Sequence, residues 1–398
     1  MEALAHEVKP VAPAPVRTRG PGYVPALPTL WPEMLWQAPR GEPAFPFDAP
    51  QVRHFYFARN AVWLAAKVLG LEGKEVLVPA YHHGVEVEAL IDAGAKVKFF
   101  RVDSRMQPDL MDLERRIGPQ TRAVYLIHYL GFPGPAQDVR ELCDRRGLLF
   151  VEDCALALLS SDGLLPLGRL GDAGIFCFYK TLPVPHGGAL VLAPGRPSGF
   201  PLPHPPPLAA TVRHLATLLL SNLELRAGRT GRWLRQSIRA LGRGTANAAH
   251  VGNVATGTQH FERSHSSLGM SPLALRLAIS QDAAQVVAAR RRNYFLLMAR
   301  LRELAPPVFT ALPAGVCPLF YPLRTTKPDA IAKQLAARGV ETVDFWRTGH
   351  PACSLSEFPE VAELRRTVLE IPIHQDVTPQ AAAALADAVA AALREVGR

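Results

Sequence analysis

Asp153 closes the apolar run LLFVED, and Lys180 follows it 27 positions later in GDAGIFCFYKTLPVPHGGALVL. An acid at a strand's end and a lysine on the loop after a neighbouring strand can meet across one bound molecule. A lysine amine forms a Schiff base with an aldehyde, and a carboxylate keeps an aromatic ring nitrogen protonated so that the ring draws electrons. Pyridoxal phosphate (PLP) requires both. Taken singly, each residue has a plainer reading, Asp153 as a helix cap and Lys180 as a solvated loop charge.

The elements that must position this pair are legible between 53 and about 200. Short apolar runs (EVLVPA, KVKFFRV, RAVYLIHYL, LLFVED) alternate with helix-like stretches over 60–70, 83–93, 109–117 and 136–146. Such alternation predicts an α/β domain with a mostly parallel sheet covered by helices on both faces. Ligands of such sheets sit at the carboxyl ends of the strands, which directs attention to 79–83, 128–131, 152–157 and 178–186. Around this domain, 53–199, the chain divides into a Pro-rich N-terminal arm (1–52), an inserted basic helical segment (200–265) and a smaller C-terminal α/β domain (266–398). In the last, strands are expected near 318–323 and 368–373 and helices over 328–338 and 378–394. A single helix is expected to run from Ser271 until Pro306–Pro307 stop it.

Composition sets the bounds. The chain has 398 residues and 48% apolar residues, enough for more than one core and too many for wholesale disorder. Lys and Arg number 44 against 35 acids, a formal +9 that suits an anionic ligand without demanding nucleic acid. Five cysteines without a CxxC pair suggest neither disulfides nor zinc. No secretory signal is evident, and a cytoplasmic protein is expected. His82 and His83 with Glu86 and Glu88 lack a further ligand cluster, so no metal is expected. For the basic segment, contact with an anionic membrane is less favoured than an inserted helical hairpin packed on the domain.

The ordered motifs ARNAVWLAAKVLGL, VLVPAYHHGVEVEALIDAGA, HYLGFPG, VEDCALA, LGRLGDAGIFCF and KTLPVPHGG carry a likeness that single residues do not. Through them the chain resembles the DegT/DnrJ/EryC1/StrS family of PLP-dependent sugar aminotransferases, over 53–198 and 266–398. The resemblance implies a fold type I PLP-dependent transferase: a seven-stranded sheet domain plus the smaller C-terminal domain, a homodimer, and PLP as cofactor. It places Lys180 as the Schiff-base lysine, Asp153 as partner of the ring nitrogen, Arg59 and Asn60 at a phosphate-binding helix start, and His83 where an aromatic stacks on the ring. His128 and His186 are candidates to face the substrate.

Departures from the family pattern are equally specific. Leu156 stands where a Gln or His usually contacts the cofactor's phenolic oxygen, and Tyr179 replaces the Ser or Thr that binds phosphate, a role Tyr179 or Arg59 would have to take over. His186 replaces the acid before the diglycine. The activity implied is transfer of an amino group from an amino acid, glutamate first, to a keto sugar carried on a nucleotide. Two alternatives stand beside it: a PLP-dependent sugar dehydratase, against which Lys180 argues, and a non-catalytic binding or regulatory relative.

Overall fold

A computed structural model describes residues 22–39, 42–197, 201–246, 260–344 and 346–396. Residues 1–21 of the expected arm and 247–259 of the expected insertion lie outside them. The elements of the larger part run β1 (Val52–Phe55), α1 (Ala58–Val68), β2 (Glu75–Pro79), α2 (Val85–Asp92), β3 (Lys96–Phe100), α3 (Leu110–Arg116), β4 (Thr121–Ile127), α4 (Ala136–Arg146), β5 (Leu149–Cys154), β6 (Ala173–Cys177) and β7 (Gly188–Leu192). Then follow α5 (Leu208–Ala246), α6 (Pro272–Ile279), α7 (Ala283–Leu301), β8 (Phe320–Arg324), α8 (Pro328–Ala337), α9 (Pro359–Thr367), β9 (Val368–Pro372) and α10 (Pro379–Val396).

Seven strands form one sheet in the order β1-β7-β6-β5-β4-β2-β3, with β7 antiparallel to both of its neighbours and every other pair parallel. The central strand β5 is buried along its whole length, which is why LLFVED reads as a continuous apolar run and not as an alternation. Strands β8 and β9 pair antiparallel in the smaller part, where α7, α8 and α10 pack.

The helix expected to run unbroken from Ser271 is two helices. Ser271 caps α6 by accepting from the Ala274 amide at 3.2 Å, and Asp282 caps α7 by accepting from the Gln285 amide at 3.0 Å. Side-chain caps of this kind satisfy first-turn amides and start a new helix within an otherwise periodic sequence. Helix α9 was not anticipated, since its two turns carry few apolar residues.

Residues 23–31 of the Pro-rich arm pack on their own chain. Thr29 donates from its amide (2.6 Å) and hydroxyl (2.8 Å) to Asp376 Oδ2, and the Trp31 indole donates to Asp376 Oδ1 at 3.0 Å. Tyr23 donates to Glu341 at 2.8 Å, and Val24 bridges Val340. Residues 22–31 therefore strap the C-terminal part.

Within α5 the chain doubles back. Gly228 sits at φ 55° and ψ −124°, and a Cβ on Gly231 would meet the backbone of Leu223 and Glu224. Eight residues of straight helix would separate these by about 12 Å, so α5 is a helical hairpin. Leu215, Leu218 and Leu219 of its first arm pack against the core cluster that holds Leu30 and Phe178.

Candidate active site

The strand ends generate the site. Ile127, Asp153 and Ile175 lie side by side on β4, β5 and β6, because Ile127 pairs with Asp153 and Asp153 with Ile175. Their side chains share one face, and all three line a cavity of about 550 Å³. Strand β6 ends at Cys177, which also lines the cavity, and the chain then delivers Tyr179 and Lys180 to the same space. Asp153 and Lys180 meet because adjacent parallel strands end at the same edge.

Asp153 is held from two sides. Its Oδ2 accepts from the Tyr125 hydroxyl at 2.7 Å and its Oδ1 from the Ala155 amide at 2.8 Å. Burial, with a smaller push from the Glu86 carboxylate, nevertheless raises its pKa to about 6. A buried carboxylate so raised gains from a cation placed beside it. Glu86, also in the lining, accepts from the His83 and Gly84 amides at 2.8 and 3.1 Å and is raised by burial.

At the other end, α1 begins beside the cavity with Phe57 as its N-cap, which supplies no side-chain hydrogen bond. Ala58 and Arg59 line the space there. The Arg59 guanidinium lies 4.3 Å from the centre of the Phe57 ring and donates to the His260 carbonyl at 2.7 Å. A helix start without a side-chain cap and with an arginine beside it suits a phosphate dianion. His83 is held neutral: burial, then the charges of Lys180 and Arg59, depress it to about 4. Its Nδ1 is buried without a partner, as is the indole nitrogen of Trp346.

Of the residues expected at the site, Lys180, Asp153, Arg59, His83, Leu156 and Tyr179 line this one cavity. Three do not. Asn60 is buried just behind it, donating to the His265 carbonyl at 2.7 Å, so it ties the helix start to the segment before α6. His128 is buried on the opposite face of the sheet. Its Nδ1 accepts from the Gly134 amide at 3.0 Å, which leaves Nε2 to donate to Glu152 at 3.0 Å. The same Glu152 accepts from the Gly168, Leu170 and Gly171 amides. His186 stacks on Tyr56 at 4.0 Å and bonds Ser271 and Thr211, and burial depresses it to about 3. These contacts describe a packing role for both histidines.

Sequence reasoning missed the wall contributed from far along the chain: Leu27 of the arm, and Asp344 and Trp346 between α8 and α9. Trp346 packs on Tyr81 and Tyr129, and Arg365 fastens its segment down, donating to the Trp346 carbonyl and, at 3.0 Å, to the His82 carbonyl. His82 joins from the other side, its Nε2 accepting from the His350 amide at 3.0 Å. No local spacing announces these pairings; Tyr81 with Trp346, His82 with Arg365 and His82 with His350 each join positions more than 260 apart.

Seven strands in this order, with one antiparallel strand next to the lysine-bearing loop, define the fold type I architecture of PLP-dependent enzymes. Residues 58–196 match the DegT/DnrJ/EryC1/StrS aminotransferase family. It is 31% identical over 168 residues to GDP-perosamine synthase of Vibrio cholerae, covering 39% of this chain and 46% of that protein. It is 34% identical over 150 residues to dTDP-4-dehydro-2,3,6-trideoxy-D-glucose 4-aminotransferase of Saccharopolyspora spinosa, 37% of this chain and 39% of that one. These matches span less than half the length of either relative. The fold is shared more widely: the aminotransferase TlmJ of Streptoalloteichus hindustanus superposes with a TM-score of 0.62 at 23% identity, over 94% of this chain and 100% of that one.

Proposed function

We propose that this chain is a PLP-dependent aminotransferase that moves an amino group from an amino acid, glutamate first, to a keto sugar carried on a nucleotide, as a cytoplasmic homodimer in polysaccharide or related sugar biosynthesis. The observation that carries the reading is the meeting of Lys180 and Asp153 in one cavity whose far end is the uncapped start of α1. Nucleotide-sugar relatives among the matched proteins support the substrate class.

The residues present fit the cofactor. The buried, raised carboxylate of Asp153 calls for a cation, which a protonated ring nitrogen provides. The helix start with Arg59 calls for an anion, which a phosphate provides. When bound, PLP supplies an aldehyde that captures an amine and a ring that withdraws electrons from the donor's Cα. Lys180 Nζ would hold the aldehyde carbon and then move the proton at the donor's Cα and at the accepting carbon. The Asp153 carboxylate would keep the ring nitrogen protonated, with Tyr125 fixing its orientation. Arg59, Tyr179 and the α1 amides would bind phosphate, neutral His83 would stack, and Ile127, Leu156 and Ile175 would exclude water. Adding glutamate to the purified, PLP-loaded protein tests the reading: the visible absorbance should pass to that of the amine form and return when a keto sugar nucleotide is added.

A further inference from the structure

The helical hairpin of α5 has a face that the fold and the proposed reaction do not use. Its first arm packs Leu215, Leu218 and Leu219 against the core, and its second arm is fastened by charge. Arg232 Nε donates to Glu224 Oε1 at 2.8 Å, and Arg235 Nη1 donates to Glu224 Oε2 at 2.9 Å and also to the Tyr23 hydroxyl. Glu224 itself is buried. The second arm thus turns part of its charged side inward, and it presents three apolar side chains to solvent beside the exposed Arg232 and Gln236: Trp233, Leu234 and Ile238 are 67%, 38% and 42% exposed. Residues 233, 234 and 238 fall within one sector of a helix, roughly 140° wide at 100° per residue. A solvated surface helix shows the opposite arrangement.

Charge identifies what would cover this face. From Leu225 to Ala246 the sequence contains six arginines (226, 229, 232, 235, 239 and 243) and no acidic residue. Arg226 and Arg232 are exposed beside the apolar sector. An exposed Trp with aliphatic neighbours, in a segment whose six arginines outnumber the Glu224 and Glu341 that pair with it, matches the boundary of an anionic bilayer, where the rings sit at headgroup depth and guanidiniums reach phosphates. We infer that the second arm of the α5 hairpin attaches the protein peripherally to anionic membranes, lying in the interface. It does not span the bilayer, since none of the helices, among the described residues, is long and apolar enough to cross one. The hairpin's inner side is tied to Tyr23 and Glu341.

Flotation of the full chain, loaded with PLP, tests this with two sets of vesicles: phosphatidylcholine alone, and phosphatidylcholine with about 30% phosphatidylglycerol. The expected result is co-flotation with the anionic set at about 50 mM salt, little with the neutral set, and release at about 0.5 M. The double variant Trp233→Glu/Ile238→Glu should lower the bound fraction at least about tenfold while its melting temperature stays near that of the parent. If that variant is destabilised, Trp233→Ser alone takes its place, since the residue is exposed. Absence of flotation at low salt overturns the inference, as does equal binding by folded variants. If the parent fails to float and Trp233→Glu instead lowers its mass by light scattering, the face is a contact between copies of the chain and the membrane assignment is wrong.

Discussion

The Tyr125 hydroxyl donates a 2.7 Å hydrogen bond to Asp153 Oδ2, from one residue buried on β4 to another buried on β5. This bond favours the charged carboxylate against the burial that opposes it. Tyr125→Phe should raise the dissociation constant for PLP about fivefold, the equivalent of roughly 1 kcal/mol for one hydrogen bond. Equilibrium dialysis of the variant checks it, and unchanged affinity would mean that the Ala155 amide alone orients Asp153.

The raised pKa of Asp153 also has a signature in the cofactor-free protein. The folded chain holds this proton to about pH 6, whereas an unfolded carboxyl releases it near about 3.9. The ionised carboxylate therefore costs stability above pH 6, and the cost fades as pH falls through that window to about 4. Asp153→Asn removes it, so the variant without cofactor should be more stable than the parent at about pH 7.5, by on the order of 2 kcal/mol, with the difference gone near about pH 4. Urea unfolding at the two pH values measures the difference. A variant less stable than the parent at the higher pH would show that the carboxylate is better satisfied than its burial implies.

Much of this architecture could be read from the residues, and the reason is local. The runs before Pro79, Ile127 and Asp153 are strands buried on both faces, so their apolar content is dense, and α4 spans the expected 136–146. Lys180 and Asp153 were legible as a pair because parallel neighbours end at one edge. His128 shows the limit: it follows a strand end as a site residue would, but its partner Glu152 occupies the alternate face of β5, and strand parity there follows from the register with β4. Trp346 and Leu27 were not legible, since only tertiary packing brings the arm and the C-terminal part to the cavity wall.

Leu156 lines the cavity two residues beyond β5 and offers no polar atom. Leu156→Gln should be tolerated and should tighten PLP retention by about 1 kcal/mol, the worth of one new hydrogen bond. Slower loss of visible absorbance during dialysis is the expected outcome. Abolished binding would show that the side chain packs against the ring.

Arg365 donates to three backbone carbonyls, those of Ala80, His82 and Trp346, and so joins the two walls of the cavity. Arg365→Met removes this donor from the His82 and Trp346 carbonyls and leaves Ala80 with only the weak Cys353 thiol. It should lower stability by about 2–4 kcal/mol and release Trp346, which a red shift in tryptophan emission would report. An unchanged melting temperature and spectrum would show that the His82 and His350 contact suffices.

The central claim is that Lys180 is the residue to which PLP becomes attached. Borohydride reduction of the PLP-loaded protein, followed by peptide mass spectrometry, tests it most directly. The account predicts that reduction bleaches the visible absorbance, leaves a pyridoxyl group on the peptide containing Lys180, and labels nothing in Lys180→Ala. Labelling of another lysine in the parent, or of Lys180→Ala at an equal level, would contradict it.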